Sequence, residues 1–122
     1  MATEKGKVLQ QMNEAFVHGD FDNVLEHVTD DIQWTQVGGP FVKGKEAFRE
    51  ACREMGWHGP DTTLTIHSII THGLTAALEG VVEMIDKNGG KKTYAFCDTY
   101  RFNTFKNGKI KEIRSYVIRI KK

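Results

Sequence analysis

Two cysteines, two prolines, a nearly cancelled charge and no long apolar run mark the 122-residue chain first by what it does without. Cys52 and Cys97 fall in a predicted helix and a predicted strand, with none of the short spacings that redox or zinc motifs use, so both read as free buried thiols. The stretch needed to span a membrane is about 18 apolar residues, and nothing here approaches it. The opening MATEKGKVLQQ has neither an apolar signal core nor an Arg-rich transit pattern, so a cytoplasmic location and no membrane partner are expected. Seventeen Lys and Arg against sixteen Asp and Glu give +1, which offers no general attraction to nucleic acid. The basic run from Arg119 to Lys122 is explained by protection of a strand edge.

Metal and nucleotide motifs are missing as well. There is no His-x-x-x-His or similar ligand spacing. Gly38-Gly39-Pro40 and Gly89-Gly90 match neither phosphate-binding fingerprint, so no metal and no cofactor is expected. The length suits one domain over residues 1–122 with a single core.

What is present falls into three helical patterns followed by strand patterns. Val8, Leu9, Met12, Ala15 and Phe16 recur at helical spacing behind a possible Thr3 cap and before Gly19, predicting a helix over residues 4–18. Asp20 can cap a short second helix with a Phe21, Val24, Leu25, Val28 stripe, ended by Thr29-Asp30-Asp31. A strand over Ile32 to Val37 is broken by Gly38-Gly39-Pro40, and a third helix runs between Gly44 and Gly56 with Ala47, Phe48, Ala51, Cys52 and Met55 on one side. The loop WHGPD, residues 57–61, then changes the periodicity to that of strands: Thr62 to Thr71, Leu74 to Asp86, and, after a Lys87-Asn88-Gly89-Gly90 turn, the Tyr94 strand. Asn107-Gly108 predicts a two-residue hairpin before Ile110, Ile113, Val117 and Ile118. Short connections predict antiparallel neighbours. The fold class is α+β: three amino-terminal helices on one face of a strongly curved, mainly antiparallel sheet, forming a cone.

Within that frame the row Tyr94, Phe96, Asp98, Tyr100, Phe102 stands out. Strand side chains alternate, so four aromatics and one carboxylate share a face. An apolar surrounding disfavours the ionised carboxyl and raises its pKa. On the neighbouring strand Glu79, Val81, Glu83 and Ile85 lie opposite Leu78, Val82 and Met84, and either face could be the inner one. Acid–base chemistry would need a partner for Asp98: Glu83 or Glu79 if their face looks inward, or His67, whose ordinary pKa lies near 6.5. Trp34, with Gln36 two residues on, is a candidate aromatic wall carrying a hydrogen-bonding group, and Phe96 and Tyr100 would hold a ligand beside it.

The order of elements, the DFDNVLEHVTDDIQW segment and the DTYRFNTFKNGKIKEIRSY segment resemble the SnoaL-like polyketide cyclases and ketosteroid isomerase relatives of the nuclear transport factor 2-like superfamily, over about Val8 to Ile118. The resemblance implies a cystatin-like cone, a homodimer joined through the open sheet face, a small apolar organic ligand and cofactor-free isomerase, cyclase or dehydratase chemistry on a carbonyl compound. Non-catalytic ligand-binding or dimeric accessory proteins share the same fold. In ketosteroid isomerases a carboxylic acid on the penultimate strand stays protonated and donates to the substrate oxyanion, an enzyme that serves as a standard case of a raised carboxyl pKa; Asp98 matches it. The base of those enzymes would fall on Thr35 or Gln36 and the oxyanion tyrosine on Met12, none of which supplies the same group. Arg114-Ser115-Tyr116 is similar to the Arg-x-Tyr of epoxide hydrolase relatives, with Tyr116 a candidate ligand contact, but the carboxylate expected two residues later is Ile118.

Overall fold

In the computed structural model, which describes residues 3–86 and 88–121, nine elements follow one another: α1 (Glu4–Val17), α2 (Phe21–Glu26), β1 (Val28–Gln36), β2 (Phe41–Lys43), α3 (Lys45–Met55), β3 (Thr63–His72), β4 (Thr75–Ile85), β5 (Lys91–Phe102) and β6 (Ile110–Ile120). The expected α+β class with three helices ahead of the long strands is observed. Lys87 of the predicted turn lies outside the described residues.

The helix ends follow from local chemistry. Thr3 Oγ1 accepts the Gly6 N–H at 2.9 Å, and Asp20 Oδ1 accepts the Asn23 N–H at 3.3 Å, each satisfying a donor that a first helical turn leaves open. Gly56 closes α3 with a φ of 74°, a conformation glycine adopts without steric cost.

The six strands form one sheet in the order β2-β1-β6-β5-β4-β3. All neighbours are antiparallel except β1 and β6, which run parallel with Trp34 beside Ile113 and Gln36 beside Ser115. β1 begins earlier than its apolar run. Thr29-Asp30-Asp31 does not terminate α2 but belongs to the strand, because the Ile110 N–H bonds the His27 carbonyl at 2.9 Å and draws Val28, fully buried, into line with Ile110.

One turn expectation is corrected. The β5–β6 connection is not a two-residue hairpin but the loop 103–109, closed by Asn103 N–H to Lys109 O and Lys109 N–H to Asn103 Oδ1, both at 2.8 Å. Asn107, at φ 52°, and Gly108 serve inside that loop. After Pro40 the chain also adds the short edge strand β2, pairing Phe41 with Thr35 and Val42 with Trp34.

The helices cover one sheet face. α1 lies over β3 and β4, and α3 over β1 and β2. Leu9, Val28, Ile32, Leu78, Val82, Phe102 and Ile110 form the closed core. On β4 the buried face is Ala76, Leu78, Val82 and the half-buried Met84, which decides the alternation left open by the sequence: Glu79 and Glu83 are on the outer face.

Candidate functional site

The inward row of β5 ends a cavity that the closed core does not fill. Its walls come from all three helices and from five of the six strands: Met12, Asn13, Phe16 and Val17 of α1, Val24 of α2, Phe48, Cys52 and Met55 of α3, then Trp34, Leu64, Val82, Phe96, Asp98, Tyr100, Ile113, Ser115 and Val117, with Trp57 from the loop after α3. The cavity volume is about 50 Å³. Drug-sized sites run roughly 300–1,000 Å³, so the space suits a small molecule, or a larger one if the flexible Met12 and Met55 side chains yield.

Asp98 is the carboxylate of this cavity. It sits directly across from Ser115 on β6 and Leu78 on β4. Tyr100, two residues along and therefore on the same face, donates its hydroxyl to Asp98 Oδ2 at 2.9 Å. Asn13, one turn after Leu9, sends its amide Nδ2 to the Leu9 carbonyl at 2.8 Å and to the Tyr100 oxygen at 3.1 Å. On the other side the Trp34 indole Nε1 donates to Ser115 Oγ at 2.8 Å, and Ser115 stands directly across from Asp98, its hydroxyl acting to lower the carboxyl's pKa.

These groups set the electrostatics. Burial pushes the Asp98 carboxyl up from 3.8 to about 6, against the hydrogen bonds from Ser115 and Tyr100, which pull it down. Asp98 retains some area open to the cavity, but a cavity this small is not bulk water, so its carboxyl is desolvated like a buried group. Tyr100 is driven well above its usual 10, by burial first and by the adjacent Asp98 charge second. Burial raises the Cys52 thiol to about 12. At neutral pH Asp98 is thus mostly ionised and is the one lining side chain that changes charge near neutrality, a combination suited to taking up a proton.

The candidate residues separate cleanly. Asp98, Tyr100, Phe96, Trp34 and Met12 meet at the cavity. Glu83 does not: it lies on the outer face, where Lys91 pairs with it at 2.9 Å, because the pleat turns inward the face that carries Leu78 and Val82. His67 is exposed at a bulge of edge strand β3, between Ile66 and Ser68, and cannot reach Asp98. Tyr116 is 43% exposed on the outer face of β6, one residue out of phase with Ser115, and accepts from Arg114 Nε at 3.3 Å. Gln36 keeps the same side of β1 as Trp34 but lies past the cavity, in a shallow surface depression with Pro40 and Val42.

Of the lining residues that the sequence did not single out, Asn13, Ser115 and Trp57 bear most on the site. Asn13 and Ser115 had a readable signal, a lone polar group within an apolar periodicity: Asn13 on the Leu9, Met12, Phe16 side of α1, Ser115 between Ile113 and Val117. Trp57 had none. Its loop position hid that its ring is buried, packed 5.0 Å from the Tyr94 ring and 6.1 Å from Phe96. Among the described residues no three His, Cys, Asp or Glu side chains gather as a metal site, and no helix is long and apolar enough to cross a membrane.

A family model described as a SnoaL-like domain matches residues 9–113. Among solved structures, an NTF2-like protein of unknown function from Cytophaga hutchinsonii is 29% identical, with a TM-score of 0.73 over 92% of this chain and 97% of that one. An LEH-like epoxide hydrolase from M. tuberculosis has 20% identity and a TM-score of 0.73, covering 92% of this chain and 80% of the hydrolase. An NTF2-like protein of unknown function from Burkholderia pseudomallei has 22% identity and the same TM-score of 0.73, over 89% and 86% of the two chains. At these last two identities the likeness is one of fold. No curated protein is matched.

Proposed function

The chain belongs to the SnoaL-like domain family, and from that premise we propose that it is a small-molecule pocket protein in which Asp98 accepts a proton from a small, largely apolar organic ligand, in cofactor-independent chemistry of the isomerase, cyclase or dehydratase kind. The observation that carries the reading is a carboxyl pushed to about 6 in an apolar cavity, with the Tyr100 hydroxyl donating to it at 2.9 Å and Ser115 directly across from it. The role differs from that of the protonated donor which the resemblance attached to Asp98. Burial raises its basicity despite the hydroxyl it accepts, and with the carboxyl at about 6 its protonated form is the minor one at neutral pH. Trp34, Phe96, Tyr100 and Met12 would form the walls. A second copy of the chain is the proposed partner of the outer sheet face.

Binding without turnover is the second reading. It is favoured by one observation: Tyr100 and Cys52 are both pushed away from neutrality, so no second lining side chain is poised to return the proton. Carbon-13 NMR of the Asp98 carboxyl, with a panel of small cyclic and aromatic compounds, tests both. The expected outcome is a midpoint near 6 that a ligand displaces, with changes in the ligand's own signals over time that Asp98→Ala abolishes. Displacement without ligand conversion supports the second reading. A midpoint that no compound moves overturns both.

A further inference from the structure

The network around Asp98 also bears on what kind of ligand the cavity accepts. A hydroxyl has one proton to give, and where it points is fixed by what its oxygen must accept. Asn13 cannot present its own carbonyl to the Leu9 carbonyl, so its Nδ2 faces Leu9 O at 2.8 Å, and the same nitrogen gives its other hydrogen to the Tyr100 oxygen at 3.1 Å. The Tyr100 proton is left to point at Asp98, 2.9 Å away. An indole nitrogen only donates, so Trp34 bonding Ser115 Oγ at 2.8 Å occupies an acceptor position of that oxygen and leaves the Ser115 proton free to turn toward Asp98, directly across on β5. At this end of the cavity, every N–H and O–H of the network is therefore spent within it. The carboxylate still has lone pairs to offer, since two oxygens provide about four acceptor positions.

We propose that the cavity selects small apolar molecules that carry a hydrogen-bond donor, a protonated amine or an alcohol, over carbonyl compounds of the same shape, with Asn13 and Trp34 as the positioning residues that enforce this by directing two hydroxyl protons onto Asp98. The inference rests on the reading of this cavity as a ligand site and narrows its ligand class. A ketone presents only an acceptor and meets the carboxylate lone pairs, whereas an alcohol or ammonium group completes them. Among the described residues no Lys, Arg or His lines the cavity, so the carboxylate has no cation of the protein's own inside it, and the aromatic rings of Trp34 and Phe96 line the same space. The groups facing Asp98 that titrate at all are Tyr100 on its own strand and Cys52 on α3. Both stay uncharged through the neutral range, while α1, β1, β4 and β6 contribute only neutral side chains.

Cyclopentylamine, cyclopentanol and cyclopentanone form a shape-matched set for the test, with binding followed by ligand-detected NMR and by the Asp98 carboxyl signal. The amine and the alcohol are expected to bind at least about tenfold more tightly than the ketone at pH 8, the amine losing affinity as the carboxyl protonates below pH 6. In Asp98→Asn the amine should lose its advantage over the ketone. Trp34→Phe and Asn13→Leu each release a hydroxyl proton, so both should narrow the preference against the ketone and raise the Asp98 midpoint, a change that loosened packing alone would not couple to ligand type. A ketone that binds as tightly as the alcohol, or a preference unchanged in Asp98→Asn, overturns the donor rule while leaving a ligand site in place. If none of the three binds and the Asp98 signal never moves, the donor rule and the ligand-site reading fall together.

Discussion

Asp98 has a consequence for stability that is separate from any ligand. Its pKa in the folded chain, about 6, lies above its ordinary 3.8, so between those values the folded state holds a proton that the unfolded state has released. Such a group stabilises fully below pH 4, and its contribution is lost as pH rises through 6. A shift of this size corresponds to about 3 kcal/mol between the two limits. Asp98→Asn keeps the shape and removes the charge. Urea unfolding at pH 4.5 and pH 7.5 should therefore show the wild type losing about 2 kcal/mol more than the variant across that interval. Equal losses in the two proteins would place the Asp98 carboxyl at its ordinary pKa and remove the basis for its role as a proton acceptor. The Asp98 signal was legible from alternation alone, since a carboxylate among four aromatics of one strand face has nowhere polar to go. The direction of the two hydroxyls was not, because it depends on Asn13 and Trp34, which are distant in sequence from the groups they orient.

Between elements, the strand most exposed to error is β3, at the sheet edge. Its bulge at His67 brings the Thr65 carbonyl so close to β4 that a Cβ built on Gly80 would stand 2.3 Å from the Thr65 oxygen and 3.2 Å from the Ile66 Cα. Both obstacles are backbone, which cannot rotate away. Gly80→Ala should accordingly destabilise by about 1–3 kcal/mol, more than the few tenths to 1 kcal/mol gained by stiffening the unfolded chain. In thermal unfolding the expected drop is roughly 5–10 °C; an unchanged Tm would mean that β3 slides aside without cost. Helices were easier to read than strands for a related reason. Thr3, Asp20, Gly44 and Gly56 carry their boundaries in the local sequence, whereas the start of β1 at Val28 and its parallel pairing with β6 are set by contacts with residues some 80 positions away. The Asn107-Gly108 pair misled as to loop length because the same dipeptide serves inside a longer loop closed by Asn103.

At the scale of the whole molecule, the sheet divides the chain into a helix-covered side that holds the cavity and an open side that carries the exposed Ile70, Ile85, Tyr116, Ile118 and Ile120. Across that open face, cross-strand register puts Ile70 beside Ala77, Val81 beside Ala95, Ala95 beside Ile118, and Cys97 beside Tyr116. Ile70 is 65% and Ile118 70% exposed, more than an isolated monomer gains by leaving such side chains in water. The charges on the same face are of both signs, Glu83 with Lys91 and Arg114 beside Thr99, so a twofold partner could meet the apolar patch without stacking like charge on like. Sedimentation equilibrium should find a dimer at about 10 μM, and Ile118→Glu, which sets a carboxylate against its own symmetry mate or against apolar neighbours, should give a monomer. Since Ile118 and Asp98 project from opposite faces of the sheet, that monomer should still titrate with a midpoint near 6 at Asp98 and still respond to ligand. If the variant instead lost the Asp98 response together with the dimer, the cavity would be shaped by assembly, and the two sides of the sheet would have to be treated as one coupled unit. A wild type that stays monomeric at about 100 μM would leave the outer face without the second copy proposed for it.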